Sequence, residues 1–199
     1  MLFRSDAALE RKKGAILLFP HAGHVMMIIA ATSLNGYRYT QYAARGLAPP
    51  EVAAAHPEVF GHNRWRQEVR EAREAREDQL PARFLTLQAP PRELFRSLNR
   101  NELIGIAFDG RIGRKFMPVP YLGRRALLNP GPYRLALDTG AAIVPTFVEC
   151  PPSGKNRLVT MPAILPEGSP RQLCERSLQQ QVEPWVRRHP EHYGIWLLH

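Results

Sequence analysis

The sequence predicts an α/β fold with a mostly parallel mixed sheet flanked by helices, and three observations point there. Apolar runs of strand length recur, AILLF at 15–19, LIGIAF at 103–108 and IVPTFV at 143–148. Bounded by breakers such as Gly14 and Pro20, such runs read as buried strands. Segments with helical pattern alternate with them, as parallel pairing requires. The 199 residues suffice for one domain, 1–199, with a sizeable core. Neither an internal repeat nor a low-complexity segment interrupts it.

The elements follow in order. Residues 1–13 form a polar lead-in with a short helix predicted over Asp6 to Lys13. Ala15 to Phe19 is the first strand. Val25 to Ala31 lacks breakers and suits a helix. His21 therefore stands where a strand ends and a helix begins, at the sheet edge that binds ligands in open α/β folds. A helix start also presents N–H groups to an anion or a developing oxyanion. Asn35–Gly36 marks a turn, and YRYTQY, 37–42, alternates as a strand does. Ala43 to Pro50 is a loop, and 51–62 is broken by Pro57 and Gly61.

Asn63 to Asp78 predicts a helix with Asn63 as N-cap and with Arg70/Glu74 and Arg73/Glu77 as i,i+4 pairs. Its few apolar residues favour a charge-paired surface helix over an arginine face for phosphates. A short strand over Ala82 to Leu87 follows. Pro90–Pro91 open a helix with an apolar stripe of Leu94, Phe95 and Leu98. Leu103 to Phe108 is a buried strand ending at Asp109–Gly110. The aspartate-phosphatase pattern needs a second Asp two positions on, where Arg111 stands.

Arg111 to Arg125 reads as a basic, Gly-containing loop with aromatics Phe116 and Tyr121. Pro130, Gly131 and Pro132 introduce the next helix. Strands are predicted over Ile143 to Val148 and Arg157 to Met161. A long helix, Ser169 to Arg188, begins with Ser169 as cap and Pro170 at its first position, and Pro184 predicts a kink.

The net charge is +9, which favours polyanionic partners: nucleic acid, anionic lipid, or acidic carrier proteins. No helix-turn-helix, RNP or OB signature is present, so nucleic acid is not expected. Phe116 and Tyr121 among cations could serve as a stacking platform, but a lipid-phosphate loop accounts for them equally. No apolar run approaches bilayer-spanning length, and no signal-peptide core is seen. Cys150 and Cys174 have no metal-type spacing.

Taken in sequence, these segments resemble the lysophospholipid acyltransferase superfamily, in its lipid A biosynthesis (lauroyl/myristoyl) acyltransferase branch. That branch opens on a strand, then His-x-Gly and a helix, in the form H-F-G-N-W-E; here the six positions read His21, Ala22, Gly23, His24, Val25 and Met26. LNRNELIGIAFD (98–109), VPYLG (119–123), Gly131–Pro132 with TGAAIVP (139–145), and Pro190–Glu191 before Trp196 resemble its later motifs. The resemblance covers 14–196 and departs at Met26, where the family carries Asp or Glu. The family also carries a longer segment ahead of the histidine, often a membrane anchor, so a reduced or truncated form is expected.

The resemblance implies an O-acyltransferase fold and activity. An acyl chain would pass from an acyl carrier protein or CoA thioester to a hydroxyl of a lipid A precursor or lysophospholipid. His21 would be the general base. Met26 cannot orient it, and Asp109 is the candidate substitute carboxylate if its strand neighbours that of His21. Substrate-binding residues would be Gly23, by allowing close approach, with His24, Arg111, Arg114, Lys115 and Gly131, the three cations meeting phosphate. Neither metal nor redox cofactor is implied. The expected location is peripheral, on the anionic cytoplasmic face of the inner membrane. The alternative is a catalytically impaired homologue that binds lipid or carrier.

Overall fold

The computed structural model describes residues 3–43, 45, 54, 64–86, 89–110 and 115–193. Asn63, the ambiguous stretch 51–62 apart from residue 54, Leu87, Arg111, Arg114, Trp196 and His199 lie outside them.

The order of elements is α1 (Phe3–Leu9), β1 (Ala15–Phe19), α2 (Met26–Leu34), β2 (Tyr39–Ala43), α3 (Arg64–Glu77), β3 (Arg83–Thr86), α4 (Arg92–Asn99) and β4 (Leu103–Ala107). Then come β5 (Met117–Tyr121), β6 (Arg124–Leu128), α5 (Gly131–Thr139), β7 (Ala142–Glu149), β8 (Arg157–Thr160), α6 (Pro170–Ser177) and α7 (Glu183–Arg188). Six strands form one sheet in the order β3-β2-β4-β1-β7-β8. Pairings from β3 through β7 are parallel, and β8 runs antiparallel on β7. The α/β class with a mostly parallel mixed sheet is therefore the observed one.

The most apolar strand sits in the middle. All five residues of β1 are buried, and successive side chains point to opposite faces. Ile16 and Leu18 join a core with Ile104 and Ile106 of β4, Leu98, Tyr133, Leu135, Leu173 and Trp185. Ala15, Leu17 and Phe19 join a second core with Ala8 of α1 and Ile28 and Ile29 of α2. The result is three layers, α4 to α7 on one face and α1 with α2 on the other. In β4, Gly105 leaves room for Tyr39, whose hydroxyl lies where a Cβ would stand and donates to Gln41 Oε1.

The first helix and the basic stretch differ from the sequence reading, α1 spanning Phe3–Leu9 rather than Asp6 to Lys13. Part of the basic stretch read as a loop is a hairpin, β5–β6, paired from Met117↔Leu128 to Tyr121↔Arg124. Its turn residues Leu122 and Gly123 both have positive φ, 52° and 79°, the combination that matches the twist of a two-residue hairpin. Leucine is not a usual turn residue, which hid the hairpin. The long helix is also interrupted: a π-helical turn, Leu178–Val182, separates α6 from α7. Pro184 follows that turn closely, so the interruption lies where the sequence places a kink. The predicted start holds, because the Ser169 side chain and Gln172 form a reciprocal capping box.

Candidate active site

The register of the central strands builds the site. Phe19 of β1 lies opposite Ala107 of β4, and the Phe108 N–H donates to the Phe19 carbonyl at 3.1 Å. Two residues further along each chain, His21 and Asp109 face one another at the carboxyl edge of the sheet. The His21 Nδ1–H donates to Asp109 Oδ1 at 2.6 Å, and the His21 backbone N–H donates to Oδ2 at 2.8 Å. One carboxylate thus fixes both the ring and the main chain of this residue. The Asp109 side chain is 3% exposed and the His21 ring 52%, so the pair has a buried acceptor and an accessible imidazole. With the proton on Nδ1, Nε2 carries the free lone pair. The hydrogen bond to Asp109 raises the imidazole pKa above its usual 6.5, burial opposes the rise, and the negative charge of Asp109 adds to it.

The turn after β1 can be accounted for donor by donor. The Ala22 N–H goes to Pro20 O at 2.8 Å and Gly23 N–H to His192 O at 2.6 Å. Met27 and Ile28 donate to His24 O and Val25 O. His24, Val25 and Met26 keep N–H groups without an acceptor among the described residues. They stand at the start of α2, the orientation that favours negative charge.

A C-terminal segment closes over this turn. Tyr193 bridges Ala22 and is buried. Its ring packs edge-on against Tyr121, centroids 6.3 Å apart, and Tyr121 packs edge-on against Phe108 at 6.0 Å. Burial raises the Tyr193 phenol pKa and the neighbouring Asp109 carboxylate adds to the rise, so it stays a neutral phenol. His192 Nε2 accepts the Cys150 N–H at 2.8 Å. That bond places the proton on Nδ1, which faces Glu191 Oε1 at 2.9 Å. His189, Glu191 and His192 are close enough to share a metal ion, but a neutral His192 in this tautomer has no lone pair left for one.

Of the residues expected from sequence, His21 and Asp109 are brought together. Gly23 has a role in the turn itself. Its φ is +62°, and an added Cβ would lie 2.6 Å from the Val148 carbonyl oxygen, so the chain itself requires the glycine. His24 is exposed. Met26 is half-buried and packs on the core beneath α2, and Asp109 occupies the Nδ1 position that a carboxylate there would serve. Lys115 is exposed beside the hairpin, while Arg111 and Arg114 lie outside the described residues. Gly131 is exposed and its N–H donates to Asn129 Oδ1 at 2.7 Å, a helix-start role. Tyr193 and His192 were missed; the aromatic and Pro-Glu residues at 190–193 were the available signal.

Among curated proteins no relative matches the chain. No helix among the described residues is long and apolar enough to cross a membrane. The family model for bacterial lipid A biosynthesis acyltransferases matches residues 4–199. That span includes the paired strands, the His21 turn and the hairpin, and on it the chain belongs to the bacterial lipid A biosynthesis acyltransferase family.

Proposed function

We propose that the chain is an O-acyltransferase in which His21 is the general base and Asp109 its orienting carboxylate. The observation that carries this reading is the 2.6 Å bond from His21 Nδ1 to the buried Asp109. It supplies from a neighbouring strand what the family supplies from the position of Met26. In the reaction, Nε2 takes the proton of an acceptor hydroxyl as its oxygen attacks the thioester carbonyl. The C–O bond forms, the C–S bond breaks, and the imidazolium returns its proton to the leaving thiolate. The unpartnered N–H groups of His24, Val25 and Met26 suit the tetrahedral oxyanion.

The donor is an acyl carrier protein or CoA thioester, serving as co-substrate, with neither metal nor redox cofactor. The acceptor is a phosphorylated lipid, a lipid A precursor or lysophospholipid, whose phosphate is met by Lys115 with Arg111 and Arg114. The protein works peripherally on the cytoplasmic face of the inner membrane.

The test is acyl transfer by wild type, His21→Ala, Asp109→Asn and Met26→Glu. Loss of general base catalysis lowers turnover by on the order of 10²–10⁴, and loss of the orienting carboxylate by up to about 10⁴. Met26→Glu is expected to gain nothing, since Nδ1 is already engaged. An active wild type matched by His21→Ala would remove the proposed base. A gain from Met26→Glu would show that Asp109 does not serve as the orienting group.

A further inference from the structure

The β5–β6 hairpin stands apart from the main sheet and has two unlike faces. Val119, Tyr121 and Leu128 point inward to the core. The outward positions are Pro118, Pro120, Arg125 and Leu127, paired as Pro118↔Leu127 and Pro120↔Arg125. Leu127 is 63% exposed, Phe116 just before β5 is 39% exposed, and Pro120, Arg124 and Arg125 are exposed as well. An exposed apolar surface rimmed by cations has to be explained by what covers it.

Charge identifies the occupant. Between Gly110 and Leu137 the sequence carries Arg111, Arg114, Lys115, Arg124, Arg125 and Arg134 and neither Asp nor Glu. Several arginines on other exposed elements are paired locally: Arg64 with Glu68 at 2.8 Å, Arg83 with Glu93 at 2.7 Å, Arg157 with Glu149 at 2.6 Å. Arg124 and Arg125 have no ion-pair partner among the described residues. Pro118 and Pro120 remove N–H donors from β5, so this edge is a poor template for an added strand. A leucine, a phenylalanine and two prolines flanked by uncompensated arginines suit the boundary between lipid headgroups and acyl chains.

The geometry points to the β5–β6 hairpin as the element that seats the protein on an anionic bilayer, with Leu127 and Phe116 entering the headgroup boundary and Arg125 on a lipid phosphate. The inference rests on the proposed lipid acyltransfer reading and deepens it. Tyr121, on the inner face of the same hairpin, packs against Phe108 and Tyr193 beside the His21–Asp109 pair. Docking by the outer face therefore brings that pair to the lipid surface, where a lipid hydroxyl can reach Nε2 without leaving the bilayer.

The experiment is flotation of the full chain with phosphatidylcholine vesicles, with and without phosphatidylglycerol, at low and high salt. Wild type should bind the anionic vesicles at low salt and lose them at high salt. Arg125→Ala should lower partitioning by about fivefold, and Leu127→Ser by roughly tenfold. Arg64→Ala, which removes a locally paired arginine, should bind as wild type does. The melting temperatures of all variants should match, since these side chains are exposed. His21→Ala should bind vesicles normally, and the hairpin variants should retain turnover of a water-soluble acyl thioester; these two results separate docking from chemistry. Vesicle binding unchanged in the hairpin variants would overturn the proposal. If those variants instead lose only an acyl carrier protein, the hairpin is a protein-docking surface and the proposal is equally overturned.

Discussion

At the scale of single residues, the pairing of His21 with Asp109 makes a statement about pH. In the proposed role of general base His21 must be neutral, and its pKa is raised by the Asp109 hydrogen bond. Acyl transfer should therefore rise with pH through an apparent pKa above the usual value of 6.5. In Asp109→Asn the residual rate should titrate at lower pH, because the group that favours the imidazolium has gone. Stability runs the opposite way. A pKa raised on folding stabilises the native state fully below about pH 6.5 and loses that contribution as pH climbs through the raised value. Wild type should thus exceed Asp109→Asn in stability most clearly on the acid side of that window. A pH–rate profile beside denaturant titrations at several pH values checks both, and an unmoved rate limb in Asp109→Asn would separate Asp109 from the base. Loss of a carboxylate at Met26 suggested impaired chemistry from sequence alone. The structure brings a carboxylate distant in sequence, that of Asp109, to His21 Nδ1, and spacing within one motif does not show that contact.

At the scale of elements, the turn between β1 and α2 depends on its glycine. Gly23 holds a positive φ, and a Cβ there would meet the Val148 carbonyl at the end of β7. Gly23→Ala should cost about 1–3 kcal/mol from the strained conformation alone, with more from the clash, read as a lower denaturant midpoint at unchanged slope. It should also weaken the 2.6 Å bond from the Gly23 N–H to His192 O and so disturb the His21 turn. Stability equal to wild type would mean that β7 yields easily. The same elements show how far the sequence could be read. Uninterrupted apolar runs gave β1, β4 and β7 nearly to the residue, because strands buried on both faces must be apolar throughout. Ser169 as cap and Pro170 after it placed the start of α6, because capping chemistry is local. The hairpin escaped, since Leu122 adopts a glycine-like φ of 52° while packing half-buried against the core. Strand order was also unreadable: β1 lies between β4 and β7, and that adjacency alone brings Asp109 to His21.

At the scale of the whole molecule, the chain's last described segment ties the helical layer to the site. Trp185 of α7 is 1% exposed and stacks on Phe147 of β7, centroids 4.3 Å apart and planes 11° from parallel. Its other neighbours are the rings of His189 and His192, at 4.8 and 5.9 Å. His192 in turn accepts from Cys150 through its ring and from Gly23 through its carbonyl. The indole therefore anchors the segment that holds the His21 turn from behind. Trp185→Ala should destabilise the fold by about 3–5 kcal/mol, the range for emptying a large aromatic site. That is a large share of the roughly 5–15 kcal/mol that holds a domain of this kind together. Trp185→Phe should behave differently. The buried Nε1–H has no acceptor among the described residues, and an unmet donor of this kind costs about 1–3 kcal/mol. Phenylalanine keeps the stacking on Phe147 and removes that donor, so its net loss should stay under about 1.5 kcal/mol. Thermal melts of the two variants, with acyl transfer measured at several temperatures, make the comparison. Trp185→Ala should lose activity in step with folding and recover part of it on cooling, whereas Asp109→Asn should remain impaired at every temperature. A Trp185→Phe loss as large as that of Trp185→Ala would show that the indole N–H is satisfied and that shape complementarity, not stacking alone, holds the segment over His21.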